Sequence, residues 1–147
     1  MARRFNIQVN AGETVYIDDY AHHPKEIEAT LSSVREMWPE LPLTVVFQPH
    51  LYSRTRDFYP DFARSLSIAD EVILLEIYPA RELPIPGITA EIIRERLTVP
   101  GCIMTKEDLL AYVEKDFKRG VLVTMGAGDI DRLVKTISEK LGNTSAQ

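Results

Sequence analysis

The chain has 147 residues, a formal net charge of −5 at pH 7, one cysteine, and apolar and charged contents of 45% and 27%, the balance of one globular domain long enough to bury its own core. The acidic balance argues against general nucleic-acid binding, which needs a basic face to displace counterions from phosphates, and the lone Cys102 excludes an internal disulfide and fits a reducing compartment. No apolar run reaches the length of a membrane span, and Met1-Ala2-Arg3-Arg4 lacks the apolar stretch of a signal peptide, so a cytoplasmic protein with no membrane contact is expected.

Phe5, Ile7 and Val9 alternate with polar residues, Asn10-Ala11-Gly12 makes a turn, and Thr14 to Asp18 alternates again, so the chain opens as a hairpin or two successive strands. From Pro24 to about Met37, Ile27, Leu31, Val34 and Trp38 recur at helical spacing; Pro24 suits a first helical position, and Pro39 and Pro42 stop the helix. Leu43 to Phe47 is apolar on both faces, the pattern of an interior parallel strand. Asp57 to Ala69 carries Phe58, Phe62, Leu66 and Ala69 in helical register, and Glu71 to Leu75 follows as a strand, completing a right-handed βαβ unit.

Pro79, Pro84, Pro86 and Gly87 make Glu76 to Gly87 a loop of functional length. Thr89 caps a helix expected to reach about Leu97, Gly101 to Thr105 is a short strand around a buried Cys102, and Glu107 to Phe117 is helical. Gly120 to Met125 is the last interior strand, and a final helix runs from Ile130 to Leu141, closed by Gly142, with Asn143 to Gln147 frayed. No repeat or linker interrupts this alternation. It predicts one doubly wound α/β domain over residues 1–147, with a mostly parallel sheet and helices on both faces.

Four polar segments follow predicted strands: Asp19 to His23, Gln48 to Arg56, the loop around Glu82, and Gly126 to Asp129. In an open parallel sheet, ligands bind at the carboxyl ends of the strands, where helix N-termini favour anions. Asp18-Asp19-Tyr20-Ala21-His22-His23-Pro24 stands on such a strand-to-helix turn and is the leading candidate ligand site. Each member also has a plain structural reading, as helix cap or packed side chain. A zinc site is not expected, because adjacent histidines diverge and no HxxxH, HxH or CxxC accompanies them.

Arg54 and Arg56 offer guanidinium forks for a carboxylate or phosphate, with surface pairing to Asp57 or Asp61 as the plain alternative for Arg56. Gly126-Ala127-Gly128 opens a helix as phosphate-binding turns do but lacks the third glycine of the dinucleotide fingerprint, and a tight turn in which glycine allows close packing is the favoured reading. There is no GxxxxGK[ST], so this chain brings no phosphate loop of its own.

Taken together, Asp18 to Pro24, Phe47-Gln48-Pro49-His50 with Tyr52-Ser53-Arg54-Thr55-Arg56, Pro84-Ile85-Pro86-Gly87 and Gly126-Ala127-Gly128-Asp129-Ile130 resemble the C-terminal domain of the Mur ligase family, in its UDP-N-acetylmuramate–L-alanine ligase branch. The resemblance covers nearly the whole chain. It implies a Rossmann-like three-layer domain of a three-domain enzyme whose N-terminal domain holds the UDP-sugar and whose central domain carries the phosphate loop and most magnesium ligands. That enzyme joins L-alanine to UDP-N-acetylmuramate with ATP and Mg2+, through an acyl phosphate, in cytoplasmic peptidoglycan synthesis. The third domain closes over the other two, its partners in the same chain, and is expected to be inert alone.

By position, Asp19 resembles the family aspartate on the nucleotide ribose, while Tyr20 and His22 line the cleft near nucleotide and incoming amino acid. His50 and Arg54 match the segment around the alanine carboxylate, where a guanidinium fork orients the amine. Leu51 stands where a second arginine is expected, which places more of that contact on Arg54 or Arg56. The competing reading is an autonomous α/β binding or regulatory module, such as a receiver-like domain holding magnesium on Asp18 and Asp19; Phe47-Gln48-Pro49-His50 lacks the acceptor aspartate it needs. No GxSxG elbow supports a hydrolase.

Overall fold

The opening alternation produces the expected hairpin: β1 (Asn6–Ala11) runs antiparallel to β2 (Thr14–Asp19), with a bulge between Ile7 and Val9. Gly12 turns it at a φ of +63°, a left-handed conformation that costs glycine little. The structure is a computed structural model and describes residues 5–145.

β3 (Leu43–Phe47), β4 (Glu71–Leu74), β5 (Gly101–Ile103) and β6 (Gly120–Met125) complete a six-stranded sheet in the order β1-β2-β6-β3-β4-β5, parallel except for β1. β6, the last strand in sequence, inserts between β2 and β3. With helices packed on either side, β3 and β6 are buried along their whole length, which is why they read as largely apolar runs. Successive side chains point to opposite faces, and two cores result.

One core packs Val15, Ile17, Val45 and Phe47 against α1 (Pro24–Met37), α2 (Tyr52–Leu66) and α3 (Glu91–Arg94). The other packs Tyr16, Val46, Ile73 and Leu122 against α4 (Lys106–Lys115) and α5 (Val134–Ser145). The three-layer α/β arrangement is the predicted one. Among the described residues, no helix is long and apolar enough to cross a membrane.

Four details differ from the sequence expectation. The second helix starts at Tyr52 rather than Asp57, so Ser53, Arg54 and Arg56 lie on a helix, and Pro60 falls inside it. α3 is one turn long: the N–H groups of Arg96 and Leu97 reach back only three residues, to Ile93 and Arg94, and Ser67 Oγ takes the next one, at Thr98. The final helix begins as a 3-10 turn, Asp129–Leu133, and α5 then runs past Gly142 to Ser145. Gly142 therefore sits inside a helix, with nothing within 4 Å of where its Cβ would be. Cys102 is half-buried rather than buried, and desolvation raises its thiol pKa.

Candidate functional site

The site begins at the carboxyl end of β2, where two adjacent aspartates diverge as strand geometry requires. Asp18 accepts a hydrogen bond from Thr124 Oγ1 (2.9 Å), which in turn bonds the Tyr16 hydroxyl (2.8 Å). Asp19, 4% exposed, turns to the other side. Its Oδ1 accepts the Ala21 N–H (2.8 Å), and its Oδ2 accepts the Phe5 N–H (2.9 Å) and the Thr30 hydroxyl (3.0 Å). One carboxylate thus ties the entry to β1, the strand-to-helix turn and the second turn of α1 together. The two carboxylates are thus engaged by different elements, Asp18 by β6 and Asp19 by the turn and α1.

That turn presents Tyr20 and His22 outward. Tyr20 is 39% exposed, and its ring meets His22 edge-on at 5.1 Å. The His22 backbone and the His23 cap of α1 both donate to Glu26 Oε1, at 3.1 and 3.2 Å. Burial pushes the Glu26 pKa up, but those N–H groups and the two imidazoles outweigh it, and the net shift is downward. A cleft of about 800 Å³ opens here, lined by Phe5, Asp19, Tyr20, His22, Lys25 and Thr30 among others.

The second half of the site leaves β3. His50 pairs in parallel with Tyr78, and the two rings stack at 5.9 Å with 14° between planes. His50 Nδ1 is buried without a hydrogen-bond partner. Burial, then the Arg54 guanidinium, then His22 lower the His50 pKa against an opposing Glu82, and burial, His22 and Arg54 do the same to His23 against Glu26. The structure therefore brings His22, His23, His50 and Arg54 to one rim. The Arg54 side chain makes no ion pair or hydrogen bond among the described residues, whereas Arg56 pairs with Asp57 at 2.9 Å on the surface, the plain alternative.

Between His50 and Arg54, Leu51 holds φ +74° and ψ 137°, a region nearly reserved for glycine. A non-glycine residue there carries on the order of 1–3 kcal/mol of strain that surrounding contacts must hold. Its N–H donates to Tyr78 O (2.9 Å), and its carbonyl accepts the Thr55 N–H (3.2 Å) and hydroxyl (2.8 Å).

The family described as Mur ligase, glutamate ligase domain, matches residues 3–128. The chain belongs to the Mur ligase family. Two relatives named UDP-N-acetylmuramate–L-alanine ligase, from Porphyromonas gingivalis and Flavobacterium johnsoniae, are 51% and 52% identical to it over 140 residues. Each match covers 95% of the chain but 31% of the relative, so this Mur ligase domain spans about a third of those proteins. The crystal structure of a UDP-N-acetylmuramate-alanine ligase from Thermotoga maritima superimposes with a TM-score of 0.72 at 29% identity, covering 97% of this chain and 30% of that one. A separately crystallised ligase domain from Haemophilus ducreyi shares the fold with a TM-score of 0.67 at 19% identity, over 94% of this chain and 99% of its own.

Two motifs of the Mur ligase domain take their meaning from packing. A Cβ on Gly128 would lie 2.4 Å from Gln48 Oε1, and one on Gly126 2.7 Å from Gln48 O. Gln48 in turn donates to Asp129 (2.9 Å) and accepts from the Ile130 N–H (2.9 Å), while Lys106 closes an ion pair on Asp129. The glycine turn is thus fitted around Gln48.

The adjacent histidines do not diverge as expected: with His23 still extended before the helix, their rings lie 4.5 Å apart. One ligand atom each from His22, His23 and Glu26 falls within 4.8 Å of the others. Two imidazoles make this a poor fit for magnesium, which prefers oxygen. The sequence reading gave Lys25, Ser53, Tyr78 and Glu82 no individual role. Lys25 and Tyr78 carried no signal beyond lying in a helix start and a loop.

Proposed function

We infer that this chain is the C-terminal, closing domain of an ATP-dependent ligase that joins L-alanine to UDP-N-acetylmuramate in cytoplasmic peptidoglycan precursor synthesis. Its partners are those substrates and the N-terminal and central domains of the same protein. The relatives' names support the reaction. The observation that carries the reading is the convergence of Tyr20, His22, His50 and Arg54 on one rim beside a cleft of about 800 Å³.

The cleft fits the nucleoside part of ATP. The Tyr20 ring offers an apolar face to a base, and Lys25 sits with the α1 N-terminus toward negative charge. ATP supplies the phosphoryl group that activates the acceptor carboxylate. In this reading its phosphates and the magnesium are held mainly by the central domain. Asp19 serves the nucleotide side through the turn it holds.

On the other side of the rim, the Arg54 guanidinium takes the carboxylate of L-alanine in a forked contact and so directs the amine inward. With Leu51 contributing no charge, that contact rests on Arg54. A lowered pKa keeps His50 neutral at neutral pH and able to accept the proton the ammonium group must lose. Closure of the domain excludes water from the activated carboxyl group.

Arg54→Ala in the full-length ligase tests this. The KM for L-alanine rises about 30-fold, in keeping with the loss of one charge-assisted contact, while the KM for ATP stays within about twofold. Equal effects on both substrates, or none, would overturn the assignment.

A further inference from the structure

We propose that Glu82 is the positioning residue for the amino-acid side of the cleft: its carboxylate caps helix α2 from a distant loop and holds the His50-Leu51-Arg54 turn in its working shape. This builds on the reading of His50 and Arg54 given above.

Helix α2 has no cap of its own. Leu51 stands at the N-cap with no side-chain acceptor, and the first turn contains no acid, so the leading N–H groups face outward unsatisfied by their own segment. Glu82 supplies what is missing. Its Oε1 accepts the Ser53 N–H at 3.0 Å and its Oε2 accepts the Ser53 hydroxyl, while the neighbouring Tyr52 N–H adds to the stabilisation of the charged carboxylate. These bonds, the Ser53 hydroxyl first, hold the Glu82 pKa below the ordinary glutamate value, so the cap is charged at neutral pH.

The loop that carries Glu82 is built to deliver it. Tyr78 N–H donates to Pro49 O (2.8 Å), Leu51 N–H returns to Tyr78 O (2.9 Å), and Glu82 N–H folds back on Pro79 O (2.9 Å) across Ala80 at φ +54°. Residues 78–82 thus form a template laid along residues 49–53. The template acts on either side of the strained Leu51, through Tyr78 before it and Glu82 after it. Arg54 lies one residue beyond Ser53, and the His50 ring lies on Tyr78. A shift in the cap would therefore move both groups that face the amino acid, without touching the Asp19 turn on the nucleotide side.

The test pairs two measurements. In the 147-residue chain, amide hydrogen exchange is followed for the parent, Glu82→Gln and Glu82→Asp; in the full-length ligase, KM for L-alanine and for ATP are measured for the same variants. Glu82→Gln keeps one acceptor oxygen but turns an amide toward a donor. It is expected to speed exchange at Ser53 and Thr55 about tenfold, the effect of losing a helix cap. It is also expected to raise the KM for L-alanine about tenfold, with kcat and the KM for ATP within about twofold. Glu82→Asp keeps the charge and should recover part of both effects, and Glu82→Gln combined with Leu51→Gly should recover more, because glycine needs no template at φ +74°. Unchanged exchange in the α2 first turn of Glu82→Gln would overturn the proposal. Faster exchange with an unchanged KM for L-alanine would leave the cap standing and overturn instead the reading of this rim as the amino-acid site.

Discussion

Asp19→Ala removes one carboxylate and strands three donors. Two of them, the Ala21 N–H and the Thr30 hydroxyl, make buried bonds to it, and the Phe5 N–H is part-buried. At about 1–3 kcal/mol for each buried donor left unsatisfied, the loss is roughly 4 kcal/mol. For a chain of this size that corresponds to a fall in Tm of roughly 10 °C. Circular dichroism melting of the 147-residue chain measures it. Thr30→Val removes one of the stranded donors, so the double variant should lose less than the sum of the two single losses, a coupling that a cycle of the four proteins reads directly. If Asp19→Ala melts within about 2 °C of the parent while nucleotide binding by the full-length protein weakens, the carboxylate is a ligand group first and the turn is held by something else.

Three further outcomes follow from packing and charge. Gly128→Ala pushes a methyl into Gln48 and Tyr78 and should cost about 1–3 kcal/mol in chemical denaturation; an unchanged midpoint would return the glycine turn to the phosphate-binding reading. Gly142→Ala, in open space inside α5, should stabilise by up to about 1 kcal/mol, and a lower Tm would show that the helix ends before it. Because the pKa values of His23 and His50 lie below the ordinary histidine value in the folded state, the unfolded chain binds protons first as pH falls. Stability is then level above about pH 7 and declines on acidification below about 6.5. Glu26, Asp70, Glu82 and Asp129, whose pKa values are lowered, add a second decline as pH falls through the carboxylate range. His50→Gln should flatten the first decline in a Tm against pH series, and an identical slope would remove His50 from the account.

The strands were legible because burial on both faces leaves little choice of residue: Leu43 to Phe47 and Gly120 to Met125 could hardly be read otherwise. Sheet order was not, since nothing local says that β6 inserts between β2 and β3. The start of α2 was missed for a specific reason. A helix start is recognised by its N-cap, and here the cap is Glu82, about thirty residues away, while the segment itself offers only Leu51 at the N-cap and no acid in its first turn. The same distance effect hides the partners of Asp19: the sequence marks the residue as a ligand candidate, whereas Phe5 and Thr30 reach its carboxylate only in the folded chain. Gly142 looked like a helix stop because glycine usually is one, yet α5 runs through it.

The most direct test of the account is an assay of ATP-dependent joining of L-alanine to UDP-N-acetylmuramate, run on the 147-residue chain, on the full-length ligase that contains it, and on that ligase with this domain deleted. The account predicts turnover only in the full-length protein, with both pieces inert. Turnover by the 147-residue chain alone, or undiminished turnover without it, would contradict the reading of this chain as the closing domain of the ligase.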